Sequence, residues 1–188
     1  GSERKTVKAN YQLGPYAPSG TWKIDLLALE DKVRRTSPYE FNPSLFEADF
    51  STKIDIINSN SDLEKPELTG FAFGNTSPDI SFADARIPFS LDFKEVGSGI
   101  KSLLIKLHPP SGGKELTYYR KNPEFSSGDS NGGTVEDYFE IPRFSEFGTY
   151  QLAIRLDDLA GNFIRFGYGT GNPLPEGISP TINVTNTG

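Results

Sequence analysis

Phe139-Glu-Ile-Pro-Arg-Phe144-Ser-Glu-Phe-Gly148-Thr149-Tyr150-Gln-Leu152-Ala-Ile154 has a counterpart 128 residues upstream in the same chain. The upstream passage is Tyr11-Gln-Leu-Gly-Pro-Tyr16-Ala-Pro-Ser-Gly20-Thr21-Trp22-Lys-Ile24-Asp-Leu26. Aromatic residues fall on aromatic residues, and Gly-Thr falls on Gly-Thr. Further along, Phe50-Ser-Thr-Lys-Ile54-Asp-Ile56-Ile-Asn58 aligns with Ile178-Ser-Pro-Thr-Ile182-Asn-Val184-Thr-Asn186 at the same offset. Residues 67–133 have no upstream counterpart. The chain therefore reads as one complete repeat preceded by the C-terminal half of another, and repetition of a supersecondary unit points to a modular array. Residues 1–58 are the half repeat, with Gly1-Ser2 read as an expression scar. Residues 59–66 are a linker, and residues 67–188 are the complete unit.

Short strips of period two fill the complete unit, the pattern of half-buried strands. Ile87, Phe89, Leu91 and Phe93 share one face. Leu103, Ile105 and Leu107 share another, as do Tyr150, Leu152, Ile154 and Leu156. Strands are expected near 67–73, 84–94, 100–108, 115–121, 134–141, 149–157, 162–168 and 180–186. The half repeat is expected to supply strands near 5–13, 21–30, 33–41 and 51–58. Gly97-Ser98-Gly99, Pro109-Pro110-Ser111-Gly112-Gly113 and Asp158-Leu-Ala-Gly161-Asn162 are turn clusters, and residues 122–133 are the longest polar loop. The upstream copy carries one extra residue between Gly20 and Asp31 relative to Gly148 and Asp158, which predicts a β-bulge. Many short strands with such connections predict an all-β protein with a Greek-key β-sandwich.

The 188-residue chain has a formal charge of -6 and no basic stripe, which argues against nucleic acid as a partner. Cysteine is absent, so disulfides and thiolate metal sites are excluded. No apolar run reaches membrane length, so no membrane insertion is expected.

Pro66-Glu-Leu-Thr-Gly-Phe71-Ala-Phe73, Gly97-Ser98-Gly99-Ile100-Lys, Pro110-Ser111-Gly112, Gly148-Thr149-Tyr150, Asp158-Leu-Ala-Gly161-Asn162 and Ile182-Asn-Val184-Thr-Asn186 occur in that order. In this order they resemble the Ig-like repeats of large secreted and cell-surface bacterial proteins. The resemblance implies an Ig-like sandwich and an extracellular or cell-surface location. It also implies a non-catalytic role as spacer or adhesion module. Neighbouring repeats of the same polypeptide, or a cell-surface glycan or protein, would be its partners. The alternative is a carbohydrate-binding or accessory module of a secreted hydrolase. Upstream, Asp31-Lys-Val-Arg34-Arg35 departs from the Asp-x-x-Gly-Asn turn, which predicts a different hairpin there.

His108 is the single histidine. A zinc site needs further nitrogen or sulfur donors, so His108 reads as a solvated turn residue, and no enzyme activity is expected. No cofactor is expected either, calcium excepted. Calcium takes clustered oxygen ligands from loops, and the candidate ligands are Asp62 in the linker and Asp158 at the Asp-x-x-Gly-Asn turn. Against this, Asp158 and Asn162 serve equally to hydrogen-bond their own turn while Gly161 supplies a positive φ. Tyr118 and Tyr119 are candidates for sugar stacking, although neighbouring residues of one strand point to opposite faces. Trp22, Ile24 and Ile54 lie on the apolar side of the half repeat. Without the strands that would cover it, that side is an interface candidate, with a homodimer as one outcome.

Overall fold

Alternating apolar and polar residues become antiparallel strands in the computed structural model, which describes residues 8, 10–23, 26–30, 36–40 and 53–187. Two compact units divide between Ser61 and Asp62. The protein is all-β, and the described residues contain no helix.

The downstream unit runs β5 (Glu67–Phe73), β6 (Ala85–Lys94), β7 (Ile100–His108), β8 (Leu116–Lys121), β9 (Ser127–Asp129), β10 (Gly132–Ile141), β11 (Gly148–Asp158), β12 (Phe163–Gly167) and β13 (Thr181–Val184). One sheet has the order β5-β6-β10-β9 and the other β12-β11-β7-β8. Past the end of β12, β13 pairs with the same strand, β11, through Gly148↔Val184 to Gln151↔Thr181. Residues 76–80 then run parallel to β13. The Asn183 and Thr185 amides donate to the Thr76 and Pro78 carbonyls at 2.9 and 2.8 Å, and the Ile80 amide donates to Thr185 at 2.9 Å.

Between the sheets lies one apolar cluster, to which each strip contributes alternate residues: Ile87, Phe89, Leu91 and Phe93 from β6; Leu103, Ile105 and Leu107 from β7; Tyr150, Leu152, Ile154 and Leu156 from β11. Ile182 and Val184 close it from β13. This is a β-sandwich: each sheet buries one face against the other, and removal of that apolar area from water is the main stabilising term. At mid-height the inward strip of β10 is interrupted by Asp137. The Tyr118 hydroxyl of the facing sheet donates to it at 2.6 Å, and the Arg120 guanidinium does so at 2.7 Å. The Tyr118 ring packs edge-on against Phe89, centroids 5.0 Å apart.

The upstream unit contains β1 (Gly20–Lys23), β2 (Leu26–Glu30), β3 (Thr36–Glu40) and β4 (Lys53–Ile56), paired as β1-β4 and β2-β3. The β1-β4 register runs from Gly20↔Ile56 to Lys23↔Lys53. Shifted by 128 residues, this is the β11-β13 register. The β2-β3 register runs from Leu26↔Glu40 to Glu30↔Thr36, and a shift of 127 turns it into the β11-β12 register, Ala153↔Gly167 to Asp157↔Phe163. The change of offset puts the extra upstream residue between Lys23 and Leu26, where Ile24 and Asp25 lie outside the described residues. The side chains share the correspondence. Trp22 Nε1 donates to the Pro18 carbonyl at 2.9 Å, and the Tyr150 hydroxyl donates to the Glu146 carbonyl at 2.8 Å. Gly20 and Gly148 both have positive φ, 130° and 124°.

Three expectations are corrected. Residues 122–133 are not wholly loop: Ser127–Asp129 is a strand paired with β10. Its glycine hid it, yet that residue makes it fit, since a Cβ on Gly128 would stand 2.1 Å from the Gly132 carbonyl oxygen. The expected strand 5–13 is absent at residues 10–13, where Gly14 and Pro15 begin a turn, and its earlier part falls mainly outside the described residues. The expected strand 21–30 is two strands with different partners, β1 and β2. The hairpin expected to differ at Asp31–Arg35 lies outside the described residues.

Candidate metal centre

Both apolar strips that end at one pole of the sandwich terminate in a carboxylate. On β6 the inward positions Ile87, Phe89, Leu91 and Phe93 are followed, two residues on, by Glu95. On β11 the inward positions Leu152, Ile154 and Leu156 are followed by Asp158. Period-two geometry therefore turns both acids inward; Glu95 is 3% exposed and Asp158 0%. Asp62, ahead of β5, is the third acid, 5% exposed. One carboxylate oxygen from each residue lies within 4.8 Å of the others.

Loop amides hold the three in place. Asp158 Oδ1 accepts from the Gly161 and Asn162 amides at 2.6 and 2.8 Å, and its Oδ2 accepts from Asn162 Nδ2 at 2.8 Å. With Gly161 at φ 100°, this is the self-bonded turn expected of Asp-x-x-Gly-Asn. Asp62 Oδ2 accepts from the Ser98 amide at 2.9 Å and Oδ1 from the Glu64 amide at 3.1 Å. Glu95 Oε2 accepts from the Gly99 amide at 2.6 Å. Its Oε1 is buried with no hydrogen-bond partner. Gly97, at φ 129°, is what lets Asp62 approach: a Cβ there would stand 2.8 Å from the Asp62 carboxyl carbon.

Electrostatically the three acids oppose one another. Burial above all, and then the charges of Asp62 and Asp158, push the Glu95 carboxyl above the usual carboxylate range. Burial acts in the same direction on Asp62, but the hydrogen bonds from Ser98 and the Glu64 amide outweigh it and hold that carboxyl below its ordinary value. The ion pairs among the described residues, Lys106–Glu115, His108–Glu115, Arg120–Asp137 and Arg155–Asp157, involve other acids. What the pole can do chemically is hold a positive charge through oxygen ligands.

No protein-family model matches this chain, and no curated protein sequence does either.

Asp62 and Asp158, singled out from the sequence, are thus brought together, and both belong to the downstream unit. Glu95 was missed, although its place two residues past Phe93 was a readable signal: a charge where the strip calls for an apolar side chain. The candidate sugar-stacking pair is split. Tyr118 is half-buried and bonded to Asp137, while Tyr119 is 59% exposed. Trp22 and Ile54 face each other across β1-β4 and are 37% and 51% exposed, while Ile24 lies outside the described residues. His108 is the last residue of β7 rather than a turn residue. It is half-buried, with Nδ1 3.6 Å from Glu115 Oε2 and its ring 5.0 Å from that of Tyr168.

Proposed function

We propose that this chain is a non-catalytic Ig-like stretch of an exported multidomain bacterial protein, a complete module preceded by the C-terminal half of another, working as spacer or adhesion module. The observation that carries the reading is the paired register. Gly20–Lys23 with Lys53–Ile56, and Gly148–Gln151 with Thr181–Val184, are the same ladder 128 residues apart. A ladder repeated in one chain belongs to an array of modules.

The strand order supports the Ig-like part. The β5-β6-β10 and β12-β11-β7-β8 orders correspond to A-B-E and G-F-C-C′ of an Ig-type sandwich. Tyr150, near the start of the strand equivalent to F, bonds back to a carbonyl four residues upstream, as a tyrosine corner does. Neighbouring modules of the same polypeptide are the partners this arrangement serves, and their surface is a cell exterior.

Two measurements test the reading. Stretched singly, a spacer module should release its chain in one discrete step, at about 3.6 Å per residue; gradual extension without a step would sink it. On a glycan array the labelled chain should give no saturable signal. Saturable sugar binding lost on Tyr119→Ala would transfer the protein to the carbohydrate-binding class.

A further inference from the structure

We propose that Asp62, Glu95 and Asp158 bind one calcium ion at the pole of the downstream sandwich. The inference goes beyond the spacer or adhesion reading and does not depend on it, because all three ligands belong to one unit.

Clustered acids alone would not carry this; the state of Glu95 does. A buried carboxylate oxygen with no partner is costly, and native structures normally satisfy such atoms. Glu95 Oε1 is buried and unpartnered beside two further buried carboxylates. The amide donors already engage the other Glu95 oxygen and both oxygens of Asp62 and Asp158. Each amide fixes an orientation and leaves a lone pair on the oxygen it bonds. A cation satisfies Oε1 and neutralises the mutual repulsion together, and it does so with all three carboxylates ionised.

Donor chemistry selects the ion. The ligands are all oxygen, with no histidine or cysteine among them, which suits a hard cation rather than zinc. Ligand oxygens that all lie within 4.8 Å of one another are close enough to share one ion with bonds of about 2.4 Å, the calcium distance. Magnesium requires about 2.1 Å and a stricter octahedron, which three acids tethered to separate loops meet less readily. Carbonyls and waters supply the remaining ligands that calcium takes.

The ion would join three distant stretches of chain: the segment entering β5, the β6-β7 turn and the β11-β12 turn. Hydrogen bonds already link them. The Leu159 amide donates to the Gly99 carbonyl at 3.0 Å, the Ala160 amide to Ser98 Oγ at 3.1 Å, and Asn162 Nδ2 to the Asp62 carbonyl at 3.3 Å. Calcium would lock the entering segment onto this frame and make the unit's stability depend on calcium.

The test is calorimetric titration of the full chain with calcium chloride and with magnesium chloride, together with thermal melts in chelator and in each salt. Binding of one calcium per chain is expected, with the melting temperature raised by roughly 5 °C or more in about 5 mM calcium relative to chelator. Glu95→Gln should lose that shift and weaken calcium at least about tenfold. It should still fold in chelator, since it removes a buried charge, so loss of binding is separable from loss of fold. Asp62→Asn is the second variant and should behave alike. A wild-type melt unmoved by calcium, with no heat of binding, would overturn the proposal and leave Glu95 as a neutral, protonated acid. Both variants binding calcium like the wild type would overturn it too. An equal shift in magnesium would overturn the assignment to calcium.

Discussion

Trp22 and Tyr150 occupy the same place in two ladders of matching register, and they meet different surroundings. Each sits two residues after a positive-φ glycine, each bonds back to a carbonyl four residues earlier, and each pairs across the strands with an isoleucine, Ile54 or Ile182. Tyr150 and Ile182 are each 1% exposed, whereas Trp22 is 37% and Ile54 51% exposed. The local structure is thus written in the strand and its turn, while burial depends on a facing sheet. Around Tyr150 that sheet is β5-β6-β10-β9, built from residues 67–141, most of which have no upstream counterpart in this chain. A ladder can form on backbone pairing and turn chemistry, but a core needs two layers.

Truncating the paired isoleucines should produce the widest split between the copies. Ile182→Ala opens a cavity in a closed core and should destabilise the downstream unit by about 2–5 kcal/mol. Ile54→Ala removes a half-exposed side chain and should cost under about 1 kcal/mol. Denaturant unfolding followed by far-UV circular dichroism reads the first. Trp22 is the only tryptophan, so its emission reads the second without interference. Equal costs would mean that Ile54 is covered in solution, as pairing of the upstream unit with a second chain requires. Sedimentation would then show a dimer.

Most of the downstream sandwich was legible because the strips of β6, β7 and β11 obey period two without interruption. Phe89, Leu91, Leu103, Ile105, Tyr150, Leu152, Ile154 and Ile182 could all be assigned inward from spacing alone, and all are buried. What escaped was structure without an apolar signature. Strand β9 is Ser-Gly-Asp, and residues 76–80 pair with the β13 segment mainly through backbone groups. The candidate metal centre was half legible. Asp158 belonged to a recognisable turn and Asp62 to a junction, but Glu95 was passed over because a charge ending an apolar strip reads as the strand's exit into solvent. The exposure of Trp22 was not legible from its own strand either. Periodicity says which way a side chain points, and only the sheet opposite decides what it meets.

The two glycines sharpen the comparison at the level of the turn. A side chain at φ 124–130° is strained wherever it occurs. At Gly20 the space around a Cβ is open, so Gly20→Ala should cost backbone strain alone, about 1 kcal/mol. At Gly148 the Cβ would also stand 3.0 Å from Pro110 Cγ, so Gly148→Ala should cost roughly 2 kcal/mol or more. The same melts read both variants. A larger cost at Gly20 would mean that the upstream ladder is packed more tightly than its exposure implies.

The back-bonds come next. Tyr150→Phe removes the hydroxyl that serves the Glu146 carbonyl and should cost about 1–1.5 kcal/mol. Trp22→Phe removes the equivalent donor to Pro18 at an exposed site, where water replaces it, and should cost under about 0.5 kcal/mol, read by circular dichroism because the fluorophore is gone.

The smallest effect concerns acid. Two facing sheets allow a polar link between them, and Asp137 is that link in the downstream unit. Burial raises its carboxyl, but the hydrogen bonds from Tyr118 and Arg120 outweigh burial and leave it below its ordinary value of 3.8. A carboxyl depressed in the fold binds its proton more readily in the unfolded chain. Its contribution is therefore fully present above about pH 4 and is lost as pH falls through the lower folded value. Arg120 is half-exposed, so solvent screens part of the interaction and the loss should be modest. Tyr118→Phe keeps the ring against Phe89 while removing the larger hydrogen bond to the acid. Its stability deficit relative to wild type should be constant above about pH 5 and shrink as pH falls through the lower folded value, as measured by denaturant unfolding at stepped pH. A deficit that persists undiminished in acid would show that the hydroxyl stabilises the sandwich through something other than the ionised Asp137.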